Sequence, residues 1–322
     1  MAGFITRTLG ASGLALVVLI CAGIVVLEAR RNRTFDAPYP AITASTDPAV
    51  VARGRYLIYG PAACAYCHVP RNEWPRLAAG ETLPLSGNHV FRLPFGEFYS
   101  SNLTPDRETG IGARTDGELA RILRYGVRAD GRAAFPLMEY HDVTDEDLTA
   151  IVSFLRLQTP IRLQVPDHRM TIFGKALMAF AIVRTGPANT RPGRSPSSGV
   201  SVHRGEYLAN SVSLCVTCHT NRVDGSYQGP KFGGGQRLDV AADPTRVFVA
   251  PNLTPDPRTS VIGQWTEDVF LARFRRGEIL EGTPMPWGAY AHMTEEDLRS
   301  VFRYLRSLPP SENATGPAIQ DK

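Results

Sequence analysis

Two short runs hold the residues best suited to chemistry: Cys64-Ala65-Tyr66-Cys67-His68 and Cys215-Val216-Thr217-Cys218-His219. Two cysteines three positions apart on a helical turn reach the two vinyl groups of one porphyrin. The histidine that follows then places its imidazole under the iron, and C-x-x-C-H is the attachment signature of c-type haem. Paired C-x-x-C also builds zinc ribbons, but with about 15–20 residues between the pairs. Here Cys67 and Cys215 lie 148 positions apart. A thioredoxin-type dithiol needs a βαβ setting, which the surrounding pattern lacks. The four cysteines are therefore assigned to two covalently bound haem c groups, with His68 and His219 as proximal iron ligands.

The sixth ligand separates electron transfer from catalysis. Methionine opposite histidine raises the reduction potential and denies the iron to substrates. Thr283-Pro284-Met285-Pro286 sets a methionine in a proline-stiffened loop before the final helix of the second half, and Phe135-Pro136-Leu137-Met138 does so in the first. Met138 follows His68 by 70 residues and Met285 follows His219 by 66, so both are expected as axial ligands. Met170 and Met178 have no counterpart, and Met293 stands where the first half has Val143; these read as core filler. His89, His141, His168, His203 and His292 occupy unrepeated positions, where local hydrogen bonding or surface exposure is the expectation. Two His/Met sets describe an electron carrier and not an enzyme. The rival class, a dihaem peroxidase or thiosulfate dehydrogenase, needs an open iron or a spare cysteine near a haem. The only spare, Cys21, lies in an apolar run. A haem-based sensor or assembly factor would bring a signalling domain or a second span, and neither is evident.

The elements that must position these residues come twice. Gly54-Arg55-Tyr56-Leu57 returns as Gly205-Glu206-Tyr207-Leu208, each ten residues before its cysteine pair. Asn102 to Asp106 (N-L-T-P-D) returns as Asn252 to Asp256, Thr115 to Gly126 as Thr266 to Gly277, and Thr144 to Leu148 as Thr294 to Leu298. Five landmarks in one order mean two copies of one domain. Each copy reads as helical. A threonine with an acid three positions on is a capping-box signature, and Leu148, Ile151, Val152 and Leu155 then fall on one helix face, as do Leu298, Val301, Phe302 and Leu305. Pro160 and Pro309 follow as stops. Middle helices are expected over Leu119–Tyr125 and Val269–Phe274, ended by Gly126 and Gly277, and first helices from about Val50 and Val202. Gly- and Pro-rich stretches between them read as long loops. The N-L-T-P-D segment fits a turn or a lining of the haem edge. Pro187 to Ser198 reads as a linker. The apolar Thr171 to Val183 is too short to span a bilayer and is expected as a helix packed between the domains.

Length and composition agree with two folded domains: 322 residues, 43% hydrophobic and 20% charged. A net charge of +4 gives no footprint for nucleic acid. Leu9 to Leu27 are 19 uncharged residues between Arg7 and Glu28, close to the ~20 that cross a bilayer as a helix. The segment ends Val25-Val26-Leu27-Glu28-Ala29-Arg30, a poor site for signal cleavage, so an uncleaved transmembrane anchor is expected. Flanking charges slightly favour an outside N-terminus, but haem attachment of the c type requires the bulk of the chain outside the cytoplasm, and that requirement is given precedence.

The order C-x-x-C-H, then Pro94 to Asp106 (P-F-G-x-x-Y-S-x-N-L-T-P-D), then Met285-Pro286-Trp287 before Thr294 to Leu298 resembles the multihaem cytochrome c subunits of membrane-bound alcohol, gluconate and sorbitol-type dehydrogenases. The resemblance covers roughly Val50 to Pro310. It implies a periplasmic quinoprotein or flavoprotein dehydrogenase as electron donor and quinone, a soluble cytochrome or a terminal oxidase as acceptor. The implied axial pairs are His68/Met138 and His219/Met285. Members often carry three haem domains where this chain has two, and Glu139 stands where proline tends to follow the methionine. The fold class expected is all-α: two tandem cytochrome c domains after an N-terminal transmembrane helix, in the bacterial inner membrane with the haem domains in the periplasm. The divisions are 1–33 anchor, 48–160 first domain, 161–200 interdomain segment, 201–310 second domain and 311–322 tail.

Overall fold

The computed structural model describes residues 2–135, 138, 140–180, 193–223, 226–240, 243–280 and 282–322, with side chains from residue 14 onward and without that of residue 244. In the first half, α1 (Ala2–Arg31) is followed by α2 (Pro48–Tyr59), α3 (Cys64–His68), α4 (Trp74–Ala78), strands β1 (Val90–Leu93) and β2 (Gly96–Tyr99), α5 (Asp116–Tyr125), α6 (Asp145–Arg156), β3 (Arg169–Met170) and α7 (Ile172–Ala179). In the second, α8 (Val202–Tyr207) runs through a π-helical turn into α9 (Cys215–His219). Strands β4 (Arg222–Val223), β5 (Ser226–Tyr227), β6 (Arg237–Val240) and β7 (Asp243–Val249) follow, then α10 (Glu267–Arg275), α11 (Trp287–Tyr290), α12 (Glu295–Ser307) and β8 (Ile319–Asp321).

The all-α expectation is overturned by three small antiparallel sheets, β1-β2-β3, β4-β5 and β6-β7-β8. Val90 to Tyr99 belongs to the Gly- and Pro-rich stretches expected as loop. Yet it sets Val90 and Phe91 opposite Tyr99 and Phe98 about a two-residue turn, a hairpin arrangement. Leu93 pairs with Gly96, and Gly96 sits at φ 151° against the Arg169 carbonyl, a position a side chain would block. The expected anchor is overturned as well: among the described residues, no helix is long and apolar enough to cross a membrane.

The helix α7 docks on α1: Lys175 Nζ lies 2.8 Å from Glu28, and Arg30 stands over the Phe180 ring. It therefore packs on the N-terminal helix, where a site between the domains was expected. The last three residues of the apolar stretch and the linker as far as residue 192 lie outside the described residues.

The two halves share one construction. In each, the first helix crosses the last so closely that a glycine is required. A Cβ on Gly54 would overlap the Ala150 carbonyl, and one on Gly205 the Ser300 carbonyl. Buried residues of both halves join in one core, from Leu57, Ile58 and Leu148 to Leu208, Leu298 and Leu305. Thr144 and Thr294 cap α6 and α12, accepting from the amides of Asp147 and Asp297. The expected capping boxes do not close, because those carboxylates turn elsewhere. Asp147 takes Arg53 at 2.8 and 2.9 Å and the Tyr207 hydroxyl at 2.8 Å. Asp297 takes Arg204 and the Tyr56 hydroxyl. Each tyrosine thus crosses to the opposite half, and the two contacts repeat each other. A closed capping box does form at Thr115 and Glu118.

Candidate functional site

Both C-x-x-C-H runs fold as a single helical turn entered through a strained residue. Ala63 and Leu214, directly before Cys64 and Cys215, have φ of 50° and 51°, uncommon for residues other than glycine. A tyrosine holds each entry: the Tyr140 hydroxyl donates to the Ala62 carbonyl at 2.5 Å, and that of Tyr290 to the Ser213 carbonyl at 2.7 Å. Both carbonyls lie two residues before the first cysteine, so the two tyrosines are true counterparts.

Each turn aims its histidine in the same way. His68 Nδ1 lies 2.8 Å from the Ser101 carbonyl, and His219 Nδ1 lies 3.0 Å from that of Pro251. A carbonyl only accepts, so Nδ1 carries the proton and Nε2 presents a lone pair. Burial drives the His68 pKa down to about 4 and lowers that of His219, which keeps both rings neutral. Burial also pushes the thiols up, Cys64 and Cys215 to about 12 and Cys67 to about 11. A reactive dithiol needs a depressed pKa, so thioredoxin-type chemistry has no support here.

The repeated N-L-T-P-D segment directly follows the residues that supply those two carbonyls. Ser101 and Pro251 stand directly before Asn102 and Asn252, which are buried and hydrogen-bonded on all sides. Asn102 Oδ1 accepts from the Thr104 amide and hydroxyl while Nδ2 donates to the Ile161 carbonyl at 2.7 Å. Asn252 repeats this with Thr254 and the Ser311 carbonyl. Asp106 and Asp256 accept from the amides and hydroxyls of Thr109 and Thr259, which holds both carboxyls below the usual range. The polar groups of the motif thus lock its own loop, as a turn reading requires.

The two turns face a common region. The Tyr290 hydroxyl is pushed up by burial and by Cys215, Cys218 and Cys67, and that of Tyr140 by burial and by Cys64, Cys67 and Tyr290. The Tyr66 hydroxyl of the first turn lies against Gly288, two residues before Tyr290. Among the described residues, no three His, Cys, Asp or Glu side chains gather as a zinc site would need. What each turn offers is two thiols three positions apart and a neutral imidazole with Nε2 free. That donor set fits a covalently linked haem with a proximal histidine. Beside the first turn, the indole N–H of Trp74, stacked near Tyr66, is buried without a protein partner.

Met138 and Met285 are both partly buried, Met285 against the shared core. They are less equivalent than their distances from the histidines suggest. Met138 lies two residues before Tyr140, and Met285 five before Tyr290. Pro136, Leu137 and Glu139 lie outside the described residues. Among the remaining histidines, His141 and His168 hydrogen-bond within the first half, and His292 reaches across to the Ala78 carbonyl. His89, for which surface exposure or local hydrogen bonding was expected, has its ring packed between Trp74 and Phe91 and is buried. The four tyrosines were missed as site residues, although their repeat at 56/207 and 140/290 was open to reading.

Over most of its length the chain is homologous to cytochrome c subunits of dehydrogenases. It is 31% identical over 278 residues to the cytochrome c subunit of a quinone-dependent alcohol dehydrogenase from Gluconobacter oxydans, covering 82% of this chain and 55% of that protein. It is 26% identical over 318 residues to the fructose dehydrogenase cytochrome subunit of Gluconobacter japonicus, covering 94% and 60%. A dihaem c-type cytochrome of Cereibacter sphaeroides is 26% identical over 279 residues, covering 79% and 85%. The chain thus spans little more than half the length of the dehydrogenase subunits that it matches. No protein-family model matches it.

Proposed function

We propose that the chain is a dihaem c-type cytochrome that carries electrons from a periplasmic quinoprotein or flavoprotein dehydrogenase into the respiratory chain, to quinone, a soluble cytochrome or a terminal oxidase. One haem c is linked to Cys64 and Cys67 with His68 as proximal ligand, the other to Cys215 and Cys218 with His219. Met138 and Met285 complete the irons. The haem supplies one-electron redox chemistry; the protein supplies ligation, burial and docking surfaces.

One observation carries this reading. At equivalent points of the duplication, a strained turn presents two thiols and a neutral imidazole whose Nδ1–H is anchored to a loop carbonyl. Nothing in that arrangement performs bond chemistry, which supports a carrier over an enzyme. The requirement that haem c be attached outside the cytoplasm supports the periplasmic side of the bacterial inner membrane. Large apolar side chains exposed on α1 (Leu14, Leu19 and Val25) and α7 (Ile172 and Phe173) support association with the membrane.

The test is affinity purification of the tagged chain from its own membranes in detergent. A quinoprotein or flavoprotein dehydrogenase is expected to come with it, and that enzyme's substrate should reduce both haems. Recovery of only oxidase or quinol-oxidising subunits would remove the dehydrogenase from the account.

A further inference from the structure

The first attachment turn touches the second half three residues past Met285. The hydroxyl of Tyr66, between Cys64 and Cys67, lies against the Gly288 backbone. The fit is so close that a Cβ on Gly288 would overlap that hydroxyl and come within 3.4 Å of the Ala78 Cβ. Four residues on, His292 Nε2 donates to the Ala78 carbonyl at 3.2 Å. Tyr66 is itself held by Trp74, at 5.0 Å between ring centroids. Thus α3 and α4 of the first half grip α11, and α11 begins two residues after Met285.

The other side of that loop is held by its own half. The Arg273 guanidinium lies 3.5 Å from the Trp287 ring centroid, and Phe274 packs on the same ring at 5.4 Å. The Met285 carbonyl accepts from the Trp287 amide at 2.8 Å. A displacement of Trp287 or Gly288 is therefore passed directly to Met285. In the second turn Thr217 stands in the place of Tyr66 and donates to the Leu214 carbonyl of its own turn at 2.7 Å.

We propose that Tyr66 is a positioning residue for the second haem: from the first attachment turn it fixes the loop that carries Met285, so the ligation of one iron depends on the turn that holds the other. This rests on Met285 being the sixth ligand. Methionine ligation raises the potential of a haem, so loosening this loop lowers the potential of the second haem.

The test is a redox titration of the haem-loaded full chain, with the iron–methionine sulfur absorption band followed in parallel. Four variants are compared: Met285→Ala, Tyr66→Phe, Gly288→Ala, and Gly288→Ala combined with Tyr66→Ala. Met285→Ala identifies the second haem by the loss of its band and a fall in its potential. Gly288→Ala, which forces the tyrosine away, is expected to weaken the same band and lower the same potential. Tyr66→Phe should lower it less. The double variant, in which the missing ring makes room for the Cβ, should recover part of the loss, a non-additivity expected of contacting residues. The positioning role is overturned if Met285→Ala alters one haem while Gly288→Ala and Tyr66→Phe leave both as in the parent. If Met285→Ala alters neither haem, the ligand assignment itself fails and the positioning role goes with it.

Discussion

At Ala63 and Leu214 the backbone enters a region that costs a residue with a Cβ about 1–2 kcal/mol, and each stands directly before the first cysteine of a C-x-x-C-H run. The tyrosine hydroxyl on the preceding carbonyl offsets this by tying the turn to the loop before the last helix. Tyr140→Phe and Tyr290→Phe leave the Ala62 and Ser213 carbonyls without that donor. Each is expected to cost about 1–3 kcal/mol, measured by denaturant unfolding of the haem-loaded protein. Losses of a few tenths at both positions would mean that the turns stand without them. Cysteines and histidines were legible in the sequence because duplication prints each C-x-x-C-H twice. The tyrosines were printed twice as well, but their partners are backbone carbonyls, which carry no residue signature. Asp147 and Asp297 misled for a different reason. Threonine–acid spacing predicts a carboxylate folding back on its own helix end, whereas a partly buried arginine and tyrosine compete for it and win.

Between elements, the crossings of α2 with α6 and of α8 with α12 set the frame that carries each attachment turn. Gly54→Ala and Gly205→Ala press a methyl group into a helix carbonyl and force the pair apart, a change of the overpacking kind that costs about 1–3 kcal/mol or more. Thermal unfolding should drop for both variants, and an unchanged midpoint would show the crossing to be looser than it stands. The final and middle helices were legible within a few residues because threonine, the apolar stripe and a following glycine or proline coincide. The sheets were not, since strands of two to seven residues around Gly and Pro read as loop. Docking of α7 on α1 adds a pH signature. Hydrogen bonds from Lys175 and Arg31 hold the Glu28 carboxyl at about 2, below its ordinary 4.5. A depressed folded value means that the contact is fully supported above about pH 4.5 and weakens as pH falls toward about 2. Hydrogen exchange in α7 should quicken across that window and nowhere above it; constant protection through the window would contradict the assignment.

Across the whole molecule, the halves are joined by two reciprocal contacts, Tyr56 to Asp297 and Tyr207 to Asp147, in which both carboxylates are buried and also held by an arginine of their own half. The pair Tyr56→Phe and Tyr207→Phe removes both crossings while leaving the arginines in place. Each loss is expected to cost about 1–3 kcal/mol; calorimetry should show one transition for the parent and a split toward two for the variant. A transition that stays single and unshifted would show that the shared apolar core alone joins the halves. With the halves fixed, Tyr66 of the first attachment turn lies against Gly288 of the second half, so the first turn meets the segment that follows Met285. The account stands most directly on what is bound at the two turns. Haem content per chain, with the spin state of each iron in the oxidised protein, is the decisive measurement. The account predicts two covalently attached haems per chain, both six-coordinate and low-spin, with one haem lost on Cys64→Ser combined with Cys67→Ser. A single haem, or a high-spin iron open to added ligands, would contradict it.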